Sequence, residues 1–296
     1  MRVTRSLPHD SPADLPWLPD WLAAVRPDTL EDAAFCAGAA LSVLHRVVAS
    51  ADAPQALWRD RLALGAAEAC AGLAGRPDRE AELRDAVHLL RPGETSGPAG
   101  EIFRLWRQAV ARPLSVAALG RALPGLDAAQ IARGLAVRPG SLMARVADTL
   151  AAVLAGAPRA EAAALILADA ALARAMGWDH VVPLLAVGLK PRDLRQTGDD
   201  LRLACHRAVL SAARIAVPLA ADLARRADRL RAVTPQLRAK GAAAAVERFL
   251  NRDALPATGL TDLMSDRAAR RLCDRLVGLG ALRELTGRET FRLYGV

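Results

Sequence analysis

Along most of this chain apolar positions recur every three to four residues, the spacing of one helical face. The first clear run is Ala33, Ala37, Ala40, Leu41, Leu44 and Val48, opened by Thr29-Leu-Glu-Asp32, a capping start. The same spacing predicts helices over 55–73, 78–90, 99–110, 115–123, 127–135, 141–154 and 159–176. Gly and Pro punctuate them: Gly75 and Pro77, then the loop "RPGETSGPAG", then Pro113. The stretch "GWDHVVPLLAVGLKPRDLR" breaks the pattern over 177–195 and leaves a short apolar piece between Pro183 and Pro191. Residues 199–231 form one long helix, which Pro218 is expected to kink. Asp199 and Asp200 suit the positive end of its dipole.

The pattern changes after Val233-Thr-Pro235. Helices are predicted over 236–251, 259–264 and 266–279, the last with Ser265 as N-cap and Gly280 as C-cap. Two strand-like pieces, 281–286 and 289–294, then flank Gly287-Arg288. The expected fold is therefore mainly α: a multi-helix bundle or irregular helical array followed by a C-terminal winged helix-turn-helix with a short β-hairpin. Three parts are expected: an extended arm over 1–28, an all-helical domain over 29–233 and a winged-helix domain over 234–296.

Over 266–279, at about 100° per residue, Ala269, Leu272, Leu276 and Leu279 share one face with Cys273 at its edge. The opposite face carries Arg267, Arg270, Arg271 and Asp274, with Arg275 beside Arg271. Guanidiniums on the free side of a packed helix suit a major groove, where they bind phosphate or the edge of guanine. The plainer reading is a solvated face with an Arg270–Asp274 ion pair. A wing adds a tight turn at Thr286-Gly287 and a basic tip at Arg288, with Arg283 and Arg292 flanking the groove and Leu285, Phe291 and Leu293 packing inward.

Composition sharpens this picture. The 296 residues carry a net charge of +8, and Lys190 and Lys240 are the only lysines among 40 basic residues. Residues 1–221 hold 25 basic and 23 acidic residues, whereas 222–296 hold 15 and 9. That asymmetry points to a polyanionic partner for the tail. Aromatic residues make up only 3%, which argues against RNA recognition by base stacking. Trp58, Trp106 and Trp178 lie in apolar helical patterns and read as core.

Other chemistry finds little support. Cys36, Cys70, Cys205 and Cys273 are scattered, without a CxxC, and read as buried thiols in a reducing cytoplasm. The five histidines form neither HxxxH nor HExxH, so no metal and no cofactor is expected. "GETSGPAG" lacks the GK[ST] of a phosphate loop. Glu161 and Asp169 lie eight residues apart on one helix, too far for a shared acid–base pair. Glu80, Glu82 and Asp85 with Arg79 and Arg84 read as a solvated charged face. No uncharged apolar run reaches the ~18 residues of a membrane span, and no secretory signal is visible, so a cytoplasmic protein away from membranes is expected.

The tail "SDRAARRLCDRLVGLGALRELTGRETFRLYGV" (265–296) resembles the C-terminal winged-helix segments of bacterial Fic-associated and related uncharacterised proteins. "WRDRLALGAAEA", "LRDAVHLLRPGETSGPAG" and "GWDHVVPLL" extend a resemblance to one bacterial domain-of-unknown-function family, number 1403, over most of the chain. That resemblance implies a helical N-terminal domain and a DNA-binding-like tail, and no activity. The HPFxxGNGR-type loop of Fic enzymes is absent, which removes the transferase activity. The expectation is a non-enzymatic protein that binds double-stranded DNA as a regulator or plasmid or mobile-element accessory factor, its body dimerising or receiving a protein partner. The alternative is a helical scaffold or adaptor whose tail is a protein contact.

Overall fold

The computed structural model describes residues 15–90, 93–137, 140–288 and 290–296. Within them the chain is mainly helical: α1 Asp20–Ala24, α2 Leu30–Ala49, α3 Gln55–Leu73, α4 Glu80–His88, α5 Gly97–Val110, α6 Val116–Ala122, α7 Ala128–Leu135, α8 Leu142–Gly156, α9 Glu161–Met176, α10 Leu185–Gly188, α11 Gly198–Val233, α12 Ala242–Phe249 and α13 Asp266–Gly278. Three short strands close the chain: β1 Leu255–Pro256, β2 Arg283–Glu284 and β3 Leu293–Gly295.

The helix starts follow from capping chemistry. Thr29 Oγ1 accepts the Asp32 amide at 3.1 Å, and Ser115, Asp127 and Ser141 cap α6, α7 and α8 in the same way. α11 pairs along α2, α9 along α8 and α5 along α3. These pairs bury Ala, Leu and Val around Trp58, Trp106 and Phe103, all fully enclosed. Glycine allows the closest approach: a Cβ on Gly188 of α10 would lie 2.3 Å from the Ala208 Cα of α11. α11 runs through Pro218 unbroken, although the proline offers no donor to the Arg214 carbonyl. On the same turn, Trp58 Nε1 donates to the Ala216 carbonyl at 2.9 Å. By length and composition, α2 and the helical stretch Gly198–Gln236 could each cross a bilayer, but here α2 and α11 pack on one another.

Of the arm expected over 1–28, residues 1–14 lie outside the described residues. The described remainder is anchored: Leu15 and Leu22 are buried, and Arg214 donates to the carbonyls of Leu22 and Val25. The four cysteines are free thiols in buried positions, and burial pushes Cys70, Cys205 and Cys273 up to about 12.

In the tail, the helix predicted over 236–251 begins only at Ala242, because Gly241 turns the chain at φ +87°. β1 is a strand the pattern of residues did not predict. The sheet order is β1-β3-β2, both pairings antiparallel, with Leu255 opposite Tyr294 and Arg283 opposite Gly295. α13 ends in a Schellman turn: Ala281 N–H donates to the Leu276 carbonyl and Gly280 N–H to the Val277 carbonyl, both at 2.9 Å, with Gly280 at φ +65°.

Candidate nucleic-acid interface

α13 packs by the predicted stripe: Ala269, Leu272, Cys273 and Leu276 are buried. Ser265 holds the N-cap position, but its hydroxyl makes no capping bond; its carbonyl accepts the amides of Ala268 and Ala269. The other side of the helix is open. Arg267, Arg271 and Arg275 are exposed and have no carboxylate partner among the described residues. Four residues apart, they form one row about 12 Å long. The Arg271 Nε donates back to the Arg267 carbonyl, one turn earlier on the same helix, at 3.3 Å.

Arg270 is also exposed, but its ion pair is with Asp266 at 3.0 Å, one turn earlier, rather than with Asp274. That pair places Asp266 between the helix dipole and a guanidinium, both favourable to its charge. Asp274 instead faces Arg292 at 3.9 Å.

The segment before α12 adds a residue that the periodicity had hidden. Arg238 shares a cleft of about 550 Å³ with Arg271, Arg275, Gln236 and Leu272. Its position was read as a turn of helix, so nothing in the sequence set it apart from other solvated arginines.

The hairpin after α13 is shorter than predicted, with two residues in β2 and three in β3. Glu284 builds the turn: its carboxylate accepts the amides of Thr286 and Gly287, each at 2.8 Å, and the Thr286 hydroxyl. Burial works against the Glu284 charge, but these donors outweigh it and hold the carboxyl below its ordinary range. Gly287 supplies the positive φ of +63°. Glu289 lies outside the described residues.

Two expectations for the hairpin change. Leu293 packs inward as expected, but Phe291 is 65% exposed and takes a left-handed φ of +56°, which turns its ring outward. Arg288 does not stand clear as a tip: it pairs with Asp85 of α4 at 2.5 Å. Arg292 Nε donates to the Arg288 carbonyl at 2.9 Å, and Arg283 is exposed on β2. Of the seven arginines expected to form the site, three stand open in a row, Arg283 stands apart on β2, and Arg270, Arg288 and Arg292 face carboxylates.

The charged face expected on α4 is also only partly solvated. Arg84 is buried, and its guanidinium grips Asp253 twice, at 2.6 and 3.2 Å. Arg61 of α3 pairs with the same carboxylate, and the Asp253 amide donates to Asp60 at 2.9 Å. Asp60 in turn pairs with Arg107 at 3.2 Å. Burial would raise the Asp253 carboxyl, but Arg61 and Arg84 overcome it and keep the group below its ordinary range. This buried network joins the tail to α3, α4 and α5. It was invisible in sequence because Asp253 lies 169 or more residues from Arg84, Arg61 and Asp60.

A family model described as Protein of unknown function (DUF1403) matches residues 7–296. No curated protein matches the chain.

Proposed function

The chain belongs to the DUF1403 family, and on that footing we propose that its tail is a winged helix that binds duplex DNA, with α13 in the major groove. The observation that carries this reading is the row Arg267, Arg271 and Arg275, exposed and without carboxylates on a helix whose other face is packed. Element order supports it: helix α12, strand β1, a short helical turn, helix α13, then strands β2 and β3, with β3 between the other two. A helix about 10–12 Å across fits a major groove about 12 Å wide, with the row of arginines lying along it. The excess positive charge of 222–296 supplies the sequence-independent attraction. The likeness of the tail to Fic-associated winged helices adds a resemblance of sequence only.

The test is fluorescence anisotropy with a labelled duplex library across a salt series. Affinity is expected to fall steeply as salt rises, because phosphate contacts release counterions. Arg271→Ala is expected to cost about 1–3 kcal/mol and to relax preference at one base position. Absence of duplex binding at low salt would sink the reading.

One observation favours a second reading, a helical adaptor with the tail as a protein contact. Arg288 at the hairpin spends its charge on Asp85 of the body instead of facing outward. On that reading Arg271→Ala leaves duplex binding unchanged and weakens a protein complex.

A further inference from the structure

A second basic concavity lies away from α13, where the helical body meets the tail. Its volume is about 420 Å³, and Arg104, Arg107, Arg112, Arg121 and Arg252 converge on it together with Gln108. Three regions supply the arginines: α5 with the turn after it, α6, and the turn between α12 and β1; α4 adds Val87. No carboxylate lines it. Glu101 pairs with Arg104 at 2.9 Å and Asp60 with Arg107 at 3.2 Å. Arg107 also lies 5.5 Å from the centre of the Phe103 ring. Arg112, Arg121 and Arg252 have no carboxylate partner among the described residues.

Three guanidiniums without carboxylates around one concavity make it a patch of positive potential that attracts anions. Their planar forks suit phosphate oxygens, which they grip through two parallel bonds. The backbone that carries Arg252 is anchored next door, where Arg61 and Arg84 grip Asp253. The local field is already felt by His88: burial, then Arg107, push its imidazole down to about 4, and its Nε2 is enclosed without a hydrogen-bond partner.

We propose that this concavity binds a small polyphosphate anion, clamped between α5, α6 and the Arg252 turn of the tail. The volume suits a small ligand, and the arginines surround a hollow with apolar Val87, Ala111 and Ala118 in its wall. A duplex would call for a ridge or a row, as on α13. The inference does not depend on DNA binding by the tail.

The test is calorimetric titration of the full chain with inorganic triphosphate, repeated for Arg112→Ala, Arg121→Ala and Arg271→Ala. All three side chains are exposed, so the variants are expected to fold, and circular dichroism checks that they do. Saturable binding of one triphosphate is expected, weakened about tenfold or more by Arg112→Ala and by Arg121→Ala, since each removes a charge-assisted contact. Arg271→Ala removes the same charge elsewhere and should leave binding unchanged. Lack of saturable binding overturns the proposal, as does an equal loss in all three variants. A third overturning result is a duplex that binds and loses affinity in Arg112→Ala while triphosphate neither binds nor competes. That result would make the concavity part of a nucleic-acid surface. Duplex affinity that depends on Arg271 alone speaks to the tail and leaves this site to the triphosphate arm.

Discussion

At the scale of single residues, the buried acids carry the most information. Asp169 sits inside α9, wholly enclosed, and accepts the amides of Leu184 and Leu185 at 3.0 and 3.2 Å. It therefore holds the start of α10 rather than any pair with Glu161. Burial pushes its carboxyl from the ordinary 3.8 up to about 8 against the pull of those two amides. Folded protein then keeps a proton that the unfolded chain loses, so this residue's contribution to stability is full below 3.8 and declines as pH rises through 8. His88 works the other way: with its folded value near 4 against an ordinary 6.5, it costs stability as pH falls through that window. Between about pH 5 and pH 8, Asp169 contributes at most about 1.4 kcal/mol of lost stability per pH unit. Asp169→Asn keeps one oxygen, which in the place of Oδ2 can accept both amides at 3.0 and 3.4 Å, and it cannot ionise, so its melting temperature should fall less over that range than the native protein's. Parallel melting curves across the range would refute the assignment.

At the scale of elements, helices were legible and the sheet was only half so. Three- and four-residue spacing, capping residues and Gly or Pro stops placed most helix ends within a few residues, because each signal acts locally. β1 was not legible: two residues, Leu255 and Pro256, carry no alternation, and a proline there reads as a turn. Strand β1 exists because β3 offers it a free edge, which is a fact about the fold and not about residues 255–256. The open side of α13 could be read from its angular pattern, whereas the partners of Arg270, Arg288 and Arg292 depended on distant or competing acids. Packing can also reverse local preference. Alanine is the better helix former by about 1 kcal/mol, yet at Gly188 its Cβ would lie within 2.3 Å of the Ala208 backbone. Overpacking of this kind costs about 1–3 kcal/mol, so Gly188→Ala should lower stability in urea unfolding. An unchanged or raised midpoint would mean that α10 can shift away from α11.

At the scale of the whole molecule, the tail is bound to the body by charge as well as by apolar contact. Asp253 is wholly enclosed, and Arg61 and Arg84 are mostly so, with side-chain exposures of 17% and 11%. Removing the acid leaves enclosed Arg61 without a counter-charge and Arg84 with only the half-exposed Glu80 at 3.2 Å, a loss of about 3–5 kcal/mol for a broken buried pair. Asp253→Asn is therefore expected to destabilise the protein by that order in chemical denaturation, far more than an exposed pair such as Arg225–Asp222 would. A change below about 1 kcal/mol would mean that water reaches the cluster. The boundary expected near residue 233 thus separates two sequence patterns, while the acid of one side is neutralised only by bases of the other. A transplant of this tail onto another helical body would carry half of an ionic lock: the acid would arrive enclosed without Arg61 and Arg84, and the body left behind would hold those two bases without it.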